Sequence, residues 1–442
     1  MVASFNKNKR LPHIVLFVAV LLGNAPLQAQ RPNIIYIMTD DLGYSDLSGY
    51  GRKDYQTPNL DDLASQGIKF VNAYAAAPVC TPTRTAFMTG RYPARTPVGL
   101  LEPLTHSKRD STYGLTSAYY SVATLMKSGG YETALIGKWH LGFLPQHRPT
   151  KNGFEYFFGF LDGAADYISH NGISGTHDLF ENDEPVNPEG YLTDLFSQKA
   201  VAFITKKHHK PFFLTLTFNA PHWPWQGPAD PPYPDSVGWT KGGSAATYAA
   251  MMKSLDQGVG KIMKALDEAQ LSSNTLVIFT SDNGGEKYSD NGGLSKAKFK
   301  LWEGGIRVPA FVRWPGKIKA GLTTPQVAVT MDWSATILSA GGVKASKDFP
   351  LDGLDLTPIL TSNQKIIERT IYWRTFQRDK QKAMRMGDWK YLQDEKGEYL
   401  FNLANDQGEK NDLKEKEQGI FKKLKNKCEA WEKTLLRPIP LG

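Results

Sequence analysis

The 442-residue chain predicts an α/β fold: a large sheet covered by helices on both faces, joined to a smaller C-terminal α+β unit. Three observations predict it. Continuous apolar runs rich in β-formers recur at Asn33 to Thr39, Glu132 to Ile136, Phe212 to Phe218 and Thr275 to Thr280. Strands apolar throughout belong to sheets buried on both faces. Helical patterns at Pro58 to Gln66 and Tyr248 to Ala269 stand between these runs, the alternation expected of an α/β sheet. Around residues 345 to 370 the style changes to short strands with polar turns.

In chain order, residues 1–29 read as a secretory signal. Lys7, Lys9 and Arg10 precede the apolar run Ile14 to Leu22, and Leu27-Gln28-Ala29 offers small residues for cleavage. The run is short for a stable membrane anchor, so the expected location is exported, periplasmic or secreted. Removing the signal takes three positive charges and no acid, lowering the net charge from +8 to +5. Residues 30–345 form the expected large N-terminal domain. Within it Thr57 caps a helix that Gly67 stops, and Thr81 caps another with Pro82 in its first position and Thr85 to Met88 continuing it. Gly142 to Asn187 lacks clear periodicity and reads as ligand-facing loops. Residues 346–442 form the C-terminal subdomain, with strands at Arg369 to Trp373, Lys382 to Leu392 and Glu398 to Asn402 and a closing helix over Gly419 to Leu436. No internal repeat is present.

With 41% hydrophobic and 22% charged residues the chain is globular. Its densest basic cluster, Lys206 to Lys210, reads as a solvated loop. No basic tract interleaved with aromatics points to nucleic acid. Cys80 and Cys428 are the only cysteines, which leaves a single disulfide open but supplies no framework.

The strand ends carry the chemistry. Asn33 to Thr39 runs into Asp40-Asp41, Glu132 to Ile136 into Gly137-Lys138-Trp139-His140, Phe212 to Phe218 into Asn219-Ala220-Pro221-His222, and Thr275 to Thr280 into Ser281-Asp282-Asn283. Ligands bind at the carboxyl edge of open α/β sheets. Asp40, Asp41, Asp282 and Asn283 offer hard oxygens suited to Ca²⁺ or Mg²⁺. Arg84, Lys138, His140 and His222 offer the positive or proton-donating groups an anion needs. A metal and several cations around Cys80, at a helix start, describe a site for sulfuryl or phosphoryl transfer.

With those residues in view, the chain from about Arg31 onward resembles the type I sulfatases of the alkaline phosphatase superfamily. The signature is Cys80-Thr81-Pro82-Thr83-Arg84, followed by Thr89-Gly90-Arg91, with GKWHLG, APH, SDNGG and KFKLWEGGIRVP in the family's order. The resemblance implies an alkaline phosphatase-like fold, a large mixed sheet sandwiched by helices. It implies that Cys80 is oxidised to Cα-formylglycine by a formylglycine-generating or anaerobic sulfatase-maturating enzyme. It also implies Ca²⁺ held by Asp40, Asp41, Asp282, Asn283 and an oxygen at position 80, with Arg84 seating the modified residue. On the same resemblance Lys138 and Lys298 would grip the sulfate, with Lys298 chosen over Lys296 and Lys300 by its spacing before Trp302-Glu303-Gly304-Gly305. By the same resemblance His222 would protonate the leaving alcohol and His140 would take the proton that releases sulfate.

Phe154 to Gly159 leading into Asp166 to His170 resembles a loop of N-acetylgalactosamine-4-sulfatases and related galactose-sulfate enzymes. It makes Asp166 and His170 candidate sugar contacts, and a sulfated polysaccharide the expected substrate. Two alternatives stand beside this reading: a phosphonate monoester or phosphodiester hydrolase of the same superfamily, and a non-catalytic glycan-binding relative.

Overall fold

The computed structural model describes residues 1–4, 31–233, 238–362 and 365–440; the signal-peptide reading therefore falls outside the described residues. Arg31 to Gly442 form one compact unit built on two main sheets.

The strands of the large sheet are β1 (Asn33–Thr39), β2 (Ile68–Phe70), β3 (Glu132–Lys138), β4 (Tyr156–Phe160), β5 (Phe180–Glu181), β6 (Glu184–Pro185), β7 (Phe212–Thr217), β8 (Thr275–Ser281), β9 (Ala310–Arg313) and β10 (Leu322–Thr324). They lie in the order β10-β2-β9-β8-β1-β7-β3-β4-β5-β6. The run β8-β1-β7-β3-β4 is parallel, and β9 is antiparallel to both of its neighbours, so the sheet is mixed. The helices are α1 (Pro58–Ser65), α2 (Cys80–Thr89), α3 (Val122–Ser128), α4 (Leu192–Thr205), α5 (Ala245–Glu268), α6 (Glu303–Ile306), α7 (Thr330–Ala340), α8 (Thr357–Thr361) and α9 (Gln418–Glu432).

The two-residue period of a strand explains why β1 is apolar at every position. Ile35 and Ile37 join one core with Leu214, Phe196 of α4 and Leu255 of α5. Ile34, Tyr36 and Met38 join the opposite core with Phe87 of α2, Met126 of α3 and Trp333 of α7. Tyr36 stacks on Phe87 with ring centres 3.8 Å apart, a contact worth about 0.5–1.5 kcal/mol that fixes α2 against the central strand.

The second sheet is an antiparallel meander of β11 (Thr370–Thr375), β12 (Gln381–Met386), β13 (Trp389–Asp394) and β14 (Gly397–Asn402). One face, with Ile371, Trp373, Leu392 and Phe401, packs on Tyr74, Ile306 and Met331 of the large body. The other face is covered by α9 through Leu424 and Cys428. Cys80 and Cys428 are both free and buried, so no disulfide joins them.

Three local expectations are corrected. Thr81 is not a cap: α2 begins at Cys80 behind extended Val79, and the Thr81 hydroxyl bonds the His140 carbonyl instead. Gly142 to Asn187 is not loop throughout, because Tyr156–Phe160 is a largely buried strand of the main sheet. Lys382 to Leu392 is a hairpin of two strands, since Gly387 takes a left-handed φ of 59° at its turn.

Candidate active site

Parallel pairing brings the predicted strand ends to one edge. Thr39 pairs with Ser281 and Gly137 with Thr217, so Asp40, Asp282 and Lys138 leave the sheet side by side. Cys80 lies over this edge at the first turn of α2. Asp41 and His140 both adopt left-handed backbone angles, φ 64° and 54°. Such strain costs on the order of 1–3 kcal/mol and clusters at functional sites.

Three buried carboxylates meet three buried cations. Arg84 donates Nε to Asp282 Oδ2 at 3.0 Å and Nη1 to the Lys138 carbonyl at 3.0 Å, with Nη2 2.9 Å from Asp282 Oδ2. Lys138 Nζ is 2.6 Å from Asp40 Oδ2, and Lys298 Nζ is 2.7 Å from Asp41 Oδ2. Asn283 donates Nδ2 to Asp41 Oδ1 at 2.7 Å. Burial works against charge on Asp40, yet Lys138 and Arg84 outweigh it and hold its carboxyl well below the usual range. Burial, with Asp40 close by, pushes Asp282 up to about 6. Burial also pushes the Cys80 thiol up, which disfavours the thiolate a cysteine nucleophile needs.

The histidines have defined tautomers because a carbonyl only accepts. His140 donates Nε2–H to the Leu104 carbonyl at 2.9 Å, leaving Nδ1 buried without a partner. His222 donates Nδ1–H to the Trp223 carbonyl at 2.6 Å and places Nε2 3.6 Å from Asp41 Oδ2. Burial and Lys138 push His140 down to about 3, and burial with Lys298 holds His222 well below its ordinary value.

Asp40 Oδ1 and Asn283 Oδ1 are buried acceptors with no donor in reach. Oxygens of this kind fit a hard divalent cation. Asp40, Asp41 and His222 also offer ligand atoms within 4.8 Å of one another, a grouping that includes a histidine sequence reasoning kept for proton transfer.

A cavity of about 450 Å³ opens over the cluster, with Cys80, His140, His222 and Lys298 among its lining. Asp166 and His170 do not line it. The Asp166 carboxylate accepts from the amides of Ile168, Ser169 and Tyr233 and from Gln226 Nε2, and His170 bonds the Gly190 carbonyl. Their contacts organise the loop. The wall instead carries Trp223, Phe299 and a pair that sequence reasoning missed, His106 Nε2 at 2.9 Å from Asp162 Oδ2. Fifty-six positions separate that pair, so no local spacing announces it.

Comparison with known proteins gives the family. The Sulfatase family profile matches residues 32–343, and that of N-sulphoglucosamine sulphohydrolase, C-terminal, matches residues 295–434. N-acetylgalactosamine-6-sulfatase of Rattus norvegicus is 35% identical, with 80% of this chain and 70% of that protein aligned. Arylsulfatase J of Mus musculus is 30% identical over 91% of this chain and 76% of its own. The crystal structure of Ps i-CgsB superposes with a TM-score of 0.81 at 34% identity, covering 91% of this chain and 93% of that one. That protein has also been solved with k-i-k-neocarrahexaose. The fold is thus the alkaline phosphatase-like sulfatase fold, and the chain belongs to the sulfatase family of sulfuric ester hydrolases.

Proposed function

We propose that the protein is an exported, Ca²⁺-dependent sulfatase that removes sulfate from galactose or N-acetylgalactosamine units of a sulfated polysaccharide, with Cys80 matured to formylglycine. The observation that carries this reading is the charge balance at the strand ends. Asp40, Asp41 and Asp282 already face Arg84, Lys138 and Lys298, while Asp40 Oδ1 and Asn283 Oδ1 keep free lone pairs. A divalent cation taken by those oxygens leaves the site net positive and in need of an anion, which a sulfate ester supplies.

Asp40, Asp41, Asp282 and Asn283 would hold the Ca²⁺, and residue 80 the formylglycine; hydrated, the latter supplies an oxygen nucleophile and the former positive charge beside it. This chain's own side chains do the rest. Lys138 and Lys298 orient the sulfate oxygens, and Arg84 fixes Asp282 and the Lys138 backbone. His140, neutral with an open Nδ1 lone pair, accepts a proton. The bound anion offsets Lys298, allowing His222 to carry a second proton on Nε2 for the departing alcohol. Trp223 and Phe299 give the cavity an apolar wall suited to a sugar ring. The name of the N-acetylgalactosamine-6-sulfatase relative and the neocarrahexaose complex of Ps i-CgsB support a carbohydrate ester. A leader-like residue 1–29 segment supports export, and maturation by a formylglycine-generating or anaerobic sulfatase-maturating enzyme follows from Cys80-Thr81-Pro82-Thr83-Arg84.

Sulfate release from a panel of monosulfated galactose and N-acetylgalactosamine isomers tests the reading. Turnover of at least one isomer is expected; turnover of an aryl sulfate with none of the sugars overturns the carbohydrate assignment.

A further inference from the structure

The C-terminal sheet sends one feature to the active site. The turn between β11 and β12, Phe376 to Lys380, and the first residue of β12, Gln381, reach both walls of the cavity. On one side lies the segment carrying Lys298. Buried Gln381 accepts from the Leu301 amide through Oε1 at 2.9 Å and donates Nε2 to the Phe299 carbonyl at 2.9 Å. Asp379 pairs with Lys300 at 2.8 Å, and the Arg378 guanidinium sits 3.9 Å from the centre of the Phe299 ring. On the other side lies Glu102, just before the wall residues Pro103 and Leu104. Its carboxylate accepts from the amides of Phe376 and Gln377 at 2.8 and 2.9 Å, and its own amide donates to Gln377 Oε1 at 2.8 Å.

The Lys298 segment needs such a hold. Phe299 is a bulky residue at φ 72°, a conformation that persists only where surrounding contacts over-determine it. The large body supplies two of those contacts, Pro78 to the Phe299 amide and Gly285 to the Lys298 amide. Gln381 supplies the two that follow along the chain. The opposite wall is linked to chemistry as well, since the Leu104 carbonyl fixes the tautomer of His140.

We infer that Gln381 is a positioning residue of the sulfatase site, and that the β11–β12 turn is a clamp holding the Lys298–Phe299 wall at its working distance from the Pro103–Leu104 wall. The inference rests on the proposed role of Lys298 as a sulfate ligand. Gln381 touches no substrate atom; it acts by fixing where the ammonium and the Phe299 ring stand. Misplacing a substrate-binding group by about 1 Å costs roughly 100-fold in rate.

A double-mutant cycle tests it in the full-length matured enzyme with one sulfated sugar as substrate. Gln381→Ala is expected to lower kcat/KM by roughly 10- to 100-fold. Lys298→Ala should lower it at least as far, and the double variant should fall no lower than Lys298→Ala, because both changes remove one function. Gln381→Glu, the same size but with an acceptor facing the Phe299 carbonyl, should resemble Gln381→Ala. Gln326→Ala is the folding control. That buried amide clamps Ile367 and Val327 away from the cavity, and its loss should lower the melting temperature while leaving turnover per folded molecule unchanged. Multiplicative losses in the double variant, or a Gln381→Ala enzyme as active as Gln326→Ala, overturn the clamp. Full activity in Lys298→Ala overturns the lysine's assignment instead; the clamp then stands or falls on Gln381→Ala, whose undiminished turnover overturns it.

Discussion

Replacing Arg84 by methionine removes a guanidinium that is 3% exposed and leaves its volume largely filled. Asp282 then loses the 3.0 Å and 2.9 Å contacts to Nε and Nη2, and Asp40 loses a cation at 3.7 Å. Stripping one partner from a buried ion pair costs about 3–5 kcal/mol, because the remaining charge stays out of water. Lys138 still neutralises Asp40, so the lower figure, about 3 kcal/mol, applies here. Asp282 stands at about 6 even with Arg84 beside it; without the guanidinium it takes a proton more readily. A carboxyl whose folded value is raised favours the folded state below its unfolded value and loses that advantage as pH rises. The deficit of Arg84→Met relative to the parent should therefore be smaller at pH 5 than at pH 8. Saturating Ca²⁺, supplying positive charge to the same carboxylates, should narrow it at pH 8. Urea unfolding followed by tryptophan fluorescence, in chelator and in Ca²⁺, measures all three quantities. A midpoint equal to the parent's in chelator at pH 8, or a deficit independent of pH, would show that Arg84 does not stabilise an ionised Asp282.

Other perturbations separate chemistry from scaffolding. Steady-state rates of His222→Ala should fall by roughly 10²–10⁴-fold on sugar sulfates. They should fall much less on an aryl sulfate with an acidic leaving group, which needs no proton; equal losses on both would exclude His222 as the acid. Glu102 is pushed up to about 7 by burial, so folding is linked to its protonation, and stability drops as pH rises from about 4.5 to about 7. Glu102→Gln keeps an acceptor for Phe376 and Gln377 and should remove that dependence, gaining up to about 3 kcal/mol on the parent between pH 5 and pH 8. Parallel pH profiles for the two proteins in denaturant titrations would count against it. Asp166→Ala should cost about 1–3 kcal/mol of stability, because the buried Gln226 amide and three part-buried backbone amides lose their acceptor, with KM for a sulfated sugar unchanged. A raised KM at unchanged stability would return Asp166 to the substrate.

Much of the site was legible because parallel strands end on one edge. Once β1, β3, β7 and β8 are recognised as fully buried runs, the residues after them must converge, and Asp40, Lys138, His222 and Asp282 do. What the sequence concealed depends on long-range pairing. Thr81 has the look of a cap, but its hydroxyl bonds the His140 carbonyl and accepts from the Leu104 amide, contacts that only the folded site creates. Tyr156 to Phe160 sits in a glycine- and asparagine-rich stretch, and its strand identity comes from pairing with β3. Asp166 and His170 matched a substrate loop by resemblance, yet their hydrogen bonds go to Ile168 and Ser169 within the loop and to Gly190, Gln226 and Tyr233 beyond it. Gln381 is an unremarkable strand residue until the β11–β12 turn is laid against Phe299.

On the proposed mechanism Cys80 is a precursor whose sulfur is discarded before catalysis. The peptide containing residue 80, taken from protein produced with its maturation enzyme and active in sulfate release, measures this directly by mass spectrometry. A loss of about 18 Da at Cys80 is expected as the thiol becomes an aldehyde. Full sulfate release by protein whose Cys80 carries the unmodified cysteine mass would contradict it.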